Sequence, residues 1–195
     1  ASWFDEKACS RVFTINGQRI FIRGANWIAS DGMLRLSRSR YDAEVKMHAE
    51  MNMNMIRVWG GSIMERPEFY EACDKYGILV WQDLWITGDC NGRWPDTLRK
   101  AETQARRREY PDNHSLFINS LADQVKMLRN HPSLYMFCGG NEFPPPPELD
   151  ARIRKTLAGL DGTRLYFDES TSADILKNTI GGTGDGPYNV REPLW

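Results

Sequence analysis

Apolar residues along this chain gather in two alternating kinds of segment. Short, nearly continuous runs predict buried strands, and longer stretches with apolar positions every three or four residues predict amphipathic helices. Ile15-Asn16-Gly17-Gln18 carries the Asn-Gly pair of a tight hairpin, and the run Phe21-Ile22-Arg23-Gly24-Ala25-Asn26 follows it as a first strand. A helix is expected from about Arg40 to Met51, with Ser39 as its N-cap. Met55-Ile56-Arg57-Val58-Trp59 reads as a second strand. Pro67 then opens a helix with Phe69, Tyr70, Ala72 and Cys73 on one side and Gly77 as its stop. Ile78-Leu79-Val80-Trp81 is a third strand, apolar on both faces.

The segment from Thr87 to Pro111 breaks this rhythm. It is polar, contains Arg106-Arg107-Arg108, and is expected to form a long loop with a short helix and a solvated basic face. Phe117, Leu121, Val125 and Leu128 then mark a clear amphipathic helix that ends before Pro132. Leu134-Tyr135-Met136-Phe137-Cys138 is a fourth strand. Pro144 to Pro147 lead into a short helix near Glu148–Ala158, Leu165-Tyr166-Phe167 forms a fifth strand, and the Gly181–Pro187 segment is loop.

Strand and helix in repeated alternation predict an α/β fold, with parallel strands joined by right-handed crossovers. A doubly wound sheet and a (β/α)8 TIM barrel both satisfy that pattern. No G-x-G-x-x-G fingerprint follows the first strand, which weakens the nucleotide-binding sheet. Polar and aromatic residues instead stand just beyond several strands: Asn26 and Trp27, Trp59, Asp83 and Trp85, Asn141 and Glu142. In a barrel all those ends share one rim, where active sites are built. The barrel is therefore the expected fold. A whole barrel needs roughly 250 residues and eight strands. Residues 13–195 are accordingly expected to supply about the first five βα units of an incomplete barrel, as the N-terminal portion of a catalytic domain. Residues 1–12 are expected to be the linker trace of a preceding domain. The start at Ala1, without Met, and the finish at Trp195 fit a piece of something longer.

Charge narrows the partners. Twenty-five Lys and Arg stand against 26 Asp and Glu, a net charge of -1, where nucleic acid or an anionic membrane selects a basic face. No apolar run approaches the roughly 18 residues of a membrane span. Cys9, Cys73, Cys90 and Cys138 are widely spaced and match neither a zinc ribbon nor a disulfide framework. His48, His114 and His131 lack zinc-ligand spacing, so no metal and no organic cofactor is expected. Asn113-His114-Ser115 is an N-glycosylation sequon.

The candidate chemistry centres on Gly139-Gly140-Asn141-Glu142, directly after the fourth strand. A carboxyl there, partly desolvated, suits a general acid. The neighbouring Asn amide can hold a substrate hydroxyl, and the glycines permit close backbone approach to a ligand.

Asn130-His131-Pro132-Ser133, a strand and then Gly140-Asn141-Glu142 resemble the acid/base signature of glycoside hydrolase family 2, whose members are retaining (β/α)8 enzymes. Asn16-Gly17 with Ile22–Trp27, Met53–Gly61, Phe69–Asp74 and Gly77–Asp83 are similar to the β-mannosidase branch of that family. Leu160–Arg164 and Asp185–Tyr188 resemble its endo-acting members on N-glycans. The resemblance implies Glu142 as acid/base, Asn141 as partner of the sugar 2-hydroxyl, Trp59 and Asp83 in the mannose subsite, and Trp27 nearby on the rim. Phe137 and Ala29 stand where the family often has Trp and Pro, which alters the fine shape of the subsite.

Retaining glycosidases use two carboxyl groups about 5–5.5 Å apart. The family's nucleophile lies on the seventh strand, beyond Trp195, and Glu169 lacks its context. A companion polypeptide carrying the remaining strands and the nucleophile is therefore expected, with a glycan or glycoprotein as substrate. The family also implies the secretory pathway, a vacuole or lysosome, or the exterior. Exo-β-mannosidase and exo-β-glucosaminidase are the nearest alternatives. A non-catalytic carbohydrate-binding or structural barrel is the alternative from another class.

Overall fold

In a computed structural model, residues 2–5, 10–87 and 110–170 are described. The expectations placed on 88–109 and beyond 170, including the polar loop, its arginines and the glycine-rich tail, lie outside them. Strands β1 (Ser2–Asp5), β2 (Ser10–Ile15) and β3 (Gln18–Ile20) form an antiparallel sheet. The turn between β2 and β3 uses Asn16 and Gly17, both at positive φ (49° and 80°), as a two-residue primed hairpin requires.

The rest alternates strand and helix: β4 (Gly24–Trp27), α1 (Arg38–Glu50), β5 (Met55–Val58), α2 (Pro67–Tyr76) and β6 (Leu79–Asp83). After them come α3 (His114–Leu128), β7 (Leu134–Gly140), α4 (Pro147–Leu160) and β8 (Leu165–Glu169). Strands β4 to β8 pair in sequence order and all in parallel. Parallel neighbours in chain order, each joined through a helix, are five consecutive staves of a (β/α) barrel.

Two expectations shift. The first parallel strand begins at Gly24, not Phe21, because the Asn54 side chain occupies the backbone before it. Its Oδ1 accepts from Arg23 N at 2.8 Å and its Nδ2 donates to Phe21 O at 2.8 Å. Phe21 consequently projects into solvent, 83% exposed. Helix α1 starts at Arg38 because Ser37, and not Ser39, accepts from Arg40 N through its side chain. Pro67 and Gly77 bound α2 as expected, with Gly77 left-handed at φ 70°.

Side chains of successive strand residues point to opposite sheet faces. Ile56, Val58, Val80 and Phe137 turn toward the helices and join Tyr41, Val45, Phe69, Cys73, Leu121, Val125 and Ile153 in one buried core. Each such side chain contributes about 1.5–3 kcal/mol by leaving water. The intervening positions face the inner side, and there the chemistry changes: Arg57, Trp81 and Asp83 stand on it. A register shift beside Val80/Trp81 sets Met136 opposite Trp81 and Cys138 opposite Asp83.

Candidate active site

Since β4–β8 run the same way, their C-terminal ends lie together, carrying Trp27, Trp59, Asp83, Asn141, Glu142 and Glu169. Asp83 ends β6 and is wholly buried, with no side-chain exposure. Burial pushes its carboxyl up from the ordinary range, opposed by the Arg57 guanidinium and by the N–H of Gly60. Arg57 donates to both Asp83 oxygens, from Nε at 3.1 Å to each and from Nη2 at 2.6 Å to Oδ2. The same Nη2 donates to Asn141 Oδ1 at 2.7 Å. One guanidinium thus locks a carboxylate on β6 and an amide beyond β7 into a single network. With Oδ1 so engaged, the Asn141 amide is oriented with Nδ2 as its donor side.

Glycines shape this network through the packing of the chain on itself. A side chain on Gly140 would meet Phe143 O at 2.1 Å, and one on Gly139 would meet the Tyr166 hydroxyl at 2.3 Å. The paired glycines therefore accommodate the chain's own turn and the adjacent strand. Gly60 lets its segment close on β6, where a Cβ would stand 2.3 Å from Leu84 O, and its N–H donates to Asp83 Oδ2 at 3.2 Å. At Gly61 a Cβ would stand 1.8 Å from the ring of Trp59. The half-buried Trp59 ring lies directly on the backbone of Gly61.

Glu142 is a non-glycine residue at φ 61°, a left-handed conformation that costs on the order of 1–3 kcal/mol. Its surroundings enforce it. Asn141 N donates to Ile86 O at 2.8 Å, Glu142 N donates to Ser170 Oγ at 2.9 Å, and Ser170 N donates to Gly140 O at 3.0 Å. The segment is pinned to the ends of β6 and β8. Glu142 itself stays partly exposed.

Trp27 is placed differently. Its ring turns into the helix layer against Phe69, 4.9 Å between centroids, and is 5% exposed. Its Nε1 donates at 2.8 Å to Glu65, a buried carboxylate that also accepts from the Tyr41 hydroxyl. The structure joins Asp83 and Asn141 through Arg57, with Glu142 adjacent, and leaves Trp27 supporting the wall behind. Trp59 connects to it only through backbone, its N–H donating to Trp27 O at 3.1 Å.

Arg57 went unassigned in the sequence. A lone charge between Ile56 and Val58 was the available signal, because an ionic side chain at an inward strand position needs a buried partner. Among the described residues, no group of three or more His, Cys, Asp or Glu side chains could hold a metal ion. Nor is any described helix long and apolar enough to cross a membrane.

Comparison with known proteins agrees with this architecture. The chain is 42% identical to mannosylglycoprotein endo-beta-mannosidase of Lilium longiflorum, over 98% of its own length and 22% of that protein. It is 42% identical to beta-mannosidase B of Thermothelomyces thermophilus, over 94% of the chain and 20% of the relative. Among solved structures, the Beta-D-Mannosidase of Dictyoglomus thermophilum superposes with a TM-score of 0.64 at 31% identity, covering 87% of this chain and 21% of that one. The chain therefore spans about a fifth of the relatives it matches. Residues 7–182 match the family described as "Glycosyl hydrolases family 2, TIM barrel domain". Parallel strands in barrel order, a polar network at their C-terminal ends and this match over most of the chain make it a member of glycosyl hydrolases family 2, contributing part of the TIM-barrel domain.

Proposed function

We propose that this chain carries the acid/base half of a retaining β-mannosidase. Glu142 protonates the departing glycosidic oxygen and then, as carboxylate, draws a proton from the water that releases the sugar. Asn141 holds the sugar 2-hydroxyl, Trp59 lies against an apolar pyranose face, and Asp83 acts mainly through Arg57 to set the Asn141 amide. The nucleophilic carboxylate comes from chain beyond these strands, on a companion segment that closes the barrel. The observation that carries this reading is the Arg57 bridge, 2.6 Å to Asp83 and 2.7 Å to Asn141, which fixes the residue next to Glu142.

The substrate is a β-mannosyl linkage of an N-glycan, cleaved internally, and the enzyme acts where such glycoproteins travel, in the secretory pathway, a vacuole or lysosome, or outside the cell. The lily relative's name supports the endo mode. A second reading, removal of single terminal mannose, is favoured by the equal identity to a protein named beta-mannosidase B. Digestion of a branched N-glycan by the full-length protein separates the two. Release of an oligosaccharide with the mannose branches intact supports endo cleavage, whereas free mannose alone supports the exo reading. No cleavage of either kind, with sugar still bound, would leave a binding barrel in place of an enzyme.

A further inference from the structure

We propose that Asn113 is a site of N-linked glycosylation, carried on the outer helix layer. Asn113-His114-Ser115 is the sole sequon in the 195 residues. Folding places it where a glycan fits. Asn113 is the N-cap of α3, and its Oδ1 accepts from Leu116 N at 2.9 Å. The acceptor side of the amide is thereby committed to the helix, while Nδ2, the atom that a glycan occupies, makes no hydrogen bond among the described residues. Both Asn113 and Ser115 are exposed, and Ser115 Oγ accepts a long contact, 3.3 Å, from Arg152 Nη2.

Substitution at Nδ2 leaves the cap intact, because capping uses the oxygen alone. Leu116, three residues on, is 62% exposed. Side chains at i and i+3 are neighbours around a helix start, so the first N-acetylglucosamine has an apolar surface beside it. The helix layer surrounds the strands. A glycan at the head of α3 therefore sits on this outer layer, outside the buried pair of Arg57 and Asp83.

The donor is a lipid diphosphate-linked oligosaccharide. A bond forms between Nδ2 and sugar C1, the C1–oxygen bond to the diphosphate breaks with its electrons leaving on the lipid diphosphate, and Nδ2 gives up one proton. The inference rests on the secretory location proposed above but not on the catalytic reading, since it is read from mass and not from turnover.

Peptide mass spectrometry of the full-length protein, from its source and from a eukaryotic secretory host, tests it before and after amidase release of N-glycans. Asn113 should carry N-acetylhexosamine-based mass and become Asp on release. Asn113→Asp keeps a capping oxygen and Ser115→Ala keeps the capping Asn. Each should lose all of that mass while retaining the wild-type unfolding midpoint. Recovery of unmodified Asn113 from both preparations, or carbohydrate at that peptide persisting in either variant, overturns the proposal.

Discussion

At the residue scale the site depends on an ion pair that cannot lose one member cheaply. Asp83 is fully buried and Arg57 nearly so, their side chains 0% and 17% exposed. Removing the cation from a buried pair typically costs about 3–5 kcal/mol, whereas replacing both members with packed apolar groups is often neutral. Arg57→Met should therefore lower stability by about 3 kcal/mol in denaturant unfolding. Arg57→Met with Asp83→Leu should recover most of that loss and none of the sugar turnover. Recovered turnover in the double variant would contradict the orienting role assigned to Arg57. Gly61 permits a sharper separation of binding from folding. Gly61→Ala forces the Trp59 ring off its seat, so KM should rise about tenfold, equivalent to about 1.4 kcal/mol of lost contact, with kcat nearly unchanged. An unaltered KM would remove Trp59 from the sugar site.

At the scale of elements, junctions are held by single acidic residues. Asp74 near the end of α2 accepts from Ser133 N at 2.9 Å through Oδ1 and faces His131 Nδ1 at 2.6 Å through Oδ2, clasping α2 to the entry of β7. Asp74→Ala should cost about 1–3 kcal/mol by leaving those donors unsatisfied, seen as a lower unfolding midpoint. Asp31 does similar work in the β4–α1 loop. Its hydrogen bond from Arg35, then the Met33 N–H and the Arg40 charge, hold its carboxyl below the usual range, against a smaller opposing effect of desolvation. A depressed folded value means that this brace is complete above the unfolded aspartate value, about 3.9, and is lost as pH falls through the folded one. Amide exchange in residues 31–36, corrected for intrinsic rates, should quicken below about pH 4 in the wild type. In Asp31→Asn that acid-induced quickening should disappear.

Elements also mark how far the sequence was legible. Helix α3 was readable because Phe117, Leu121, Val125 and Leu128 are all buried at their helical spacing. The start of β4 was not, since the Asn54 amide that displaces it is 31 residues away from Arg23. Ser37 and Ser39 are equivalent caps in sequence, and only backbone geometry chooses between them. Glu142 and Asn141 were legible as polar residues closing an apolar strand. The burial of Trp27 was not, because its partner Glu65 belongs to a different loop and the pattern of one strand cannot reveal it. Arg57 was hidden for the same reason: its meaning lies in Asp83 and Asn141, 26 and 84 positions on.

At the scale of the whole molecule, five parallel strands end in β4 and β8, each with one side lacking a partner strand within the parallel sheet as described. Eight strands close such a barrel, and open edges expose unpaired backbone donors and acceptors. Expressed alone, the chain is expected to be inactive on β-mannosides, because the parallel sheet as described is not closed. A cooperative, active monomer of this length would refute the need for a companion segment. The central claim, that the carboxyl at 142 hands a proton to a departing sugar, is tested most directly by Glu142→Gln in the full-length protein. The account predicts that hydrolysis of a natural β-mannoside falls by at least about a hundredfold. An aryl mannoside with an activated leaving group should still form the glycosyl-enzyme, released as a burst of phenol. Equal loss on both substrates would contradict it.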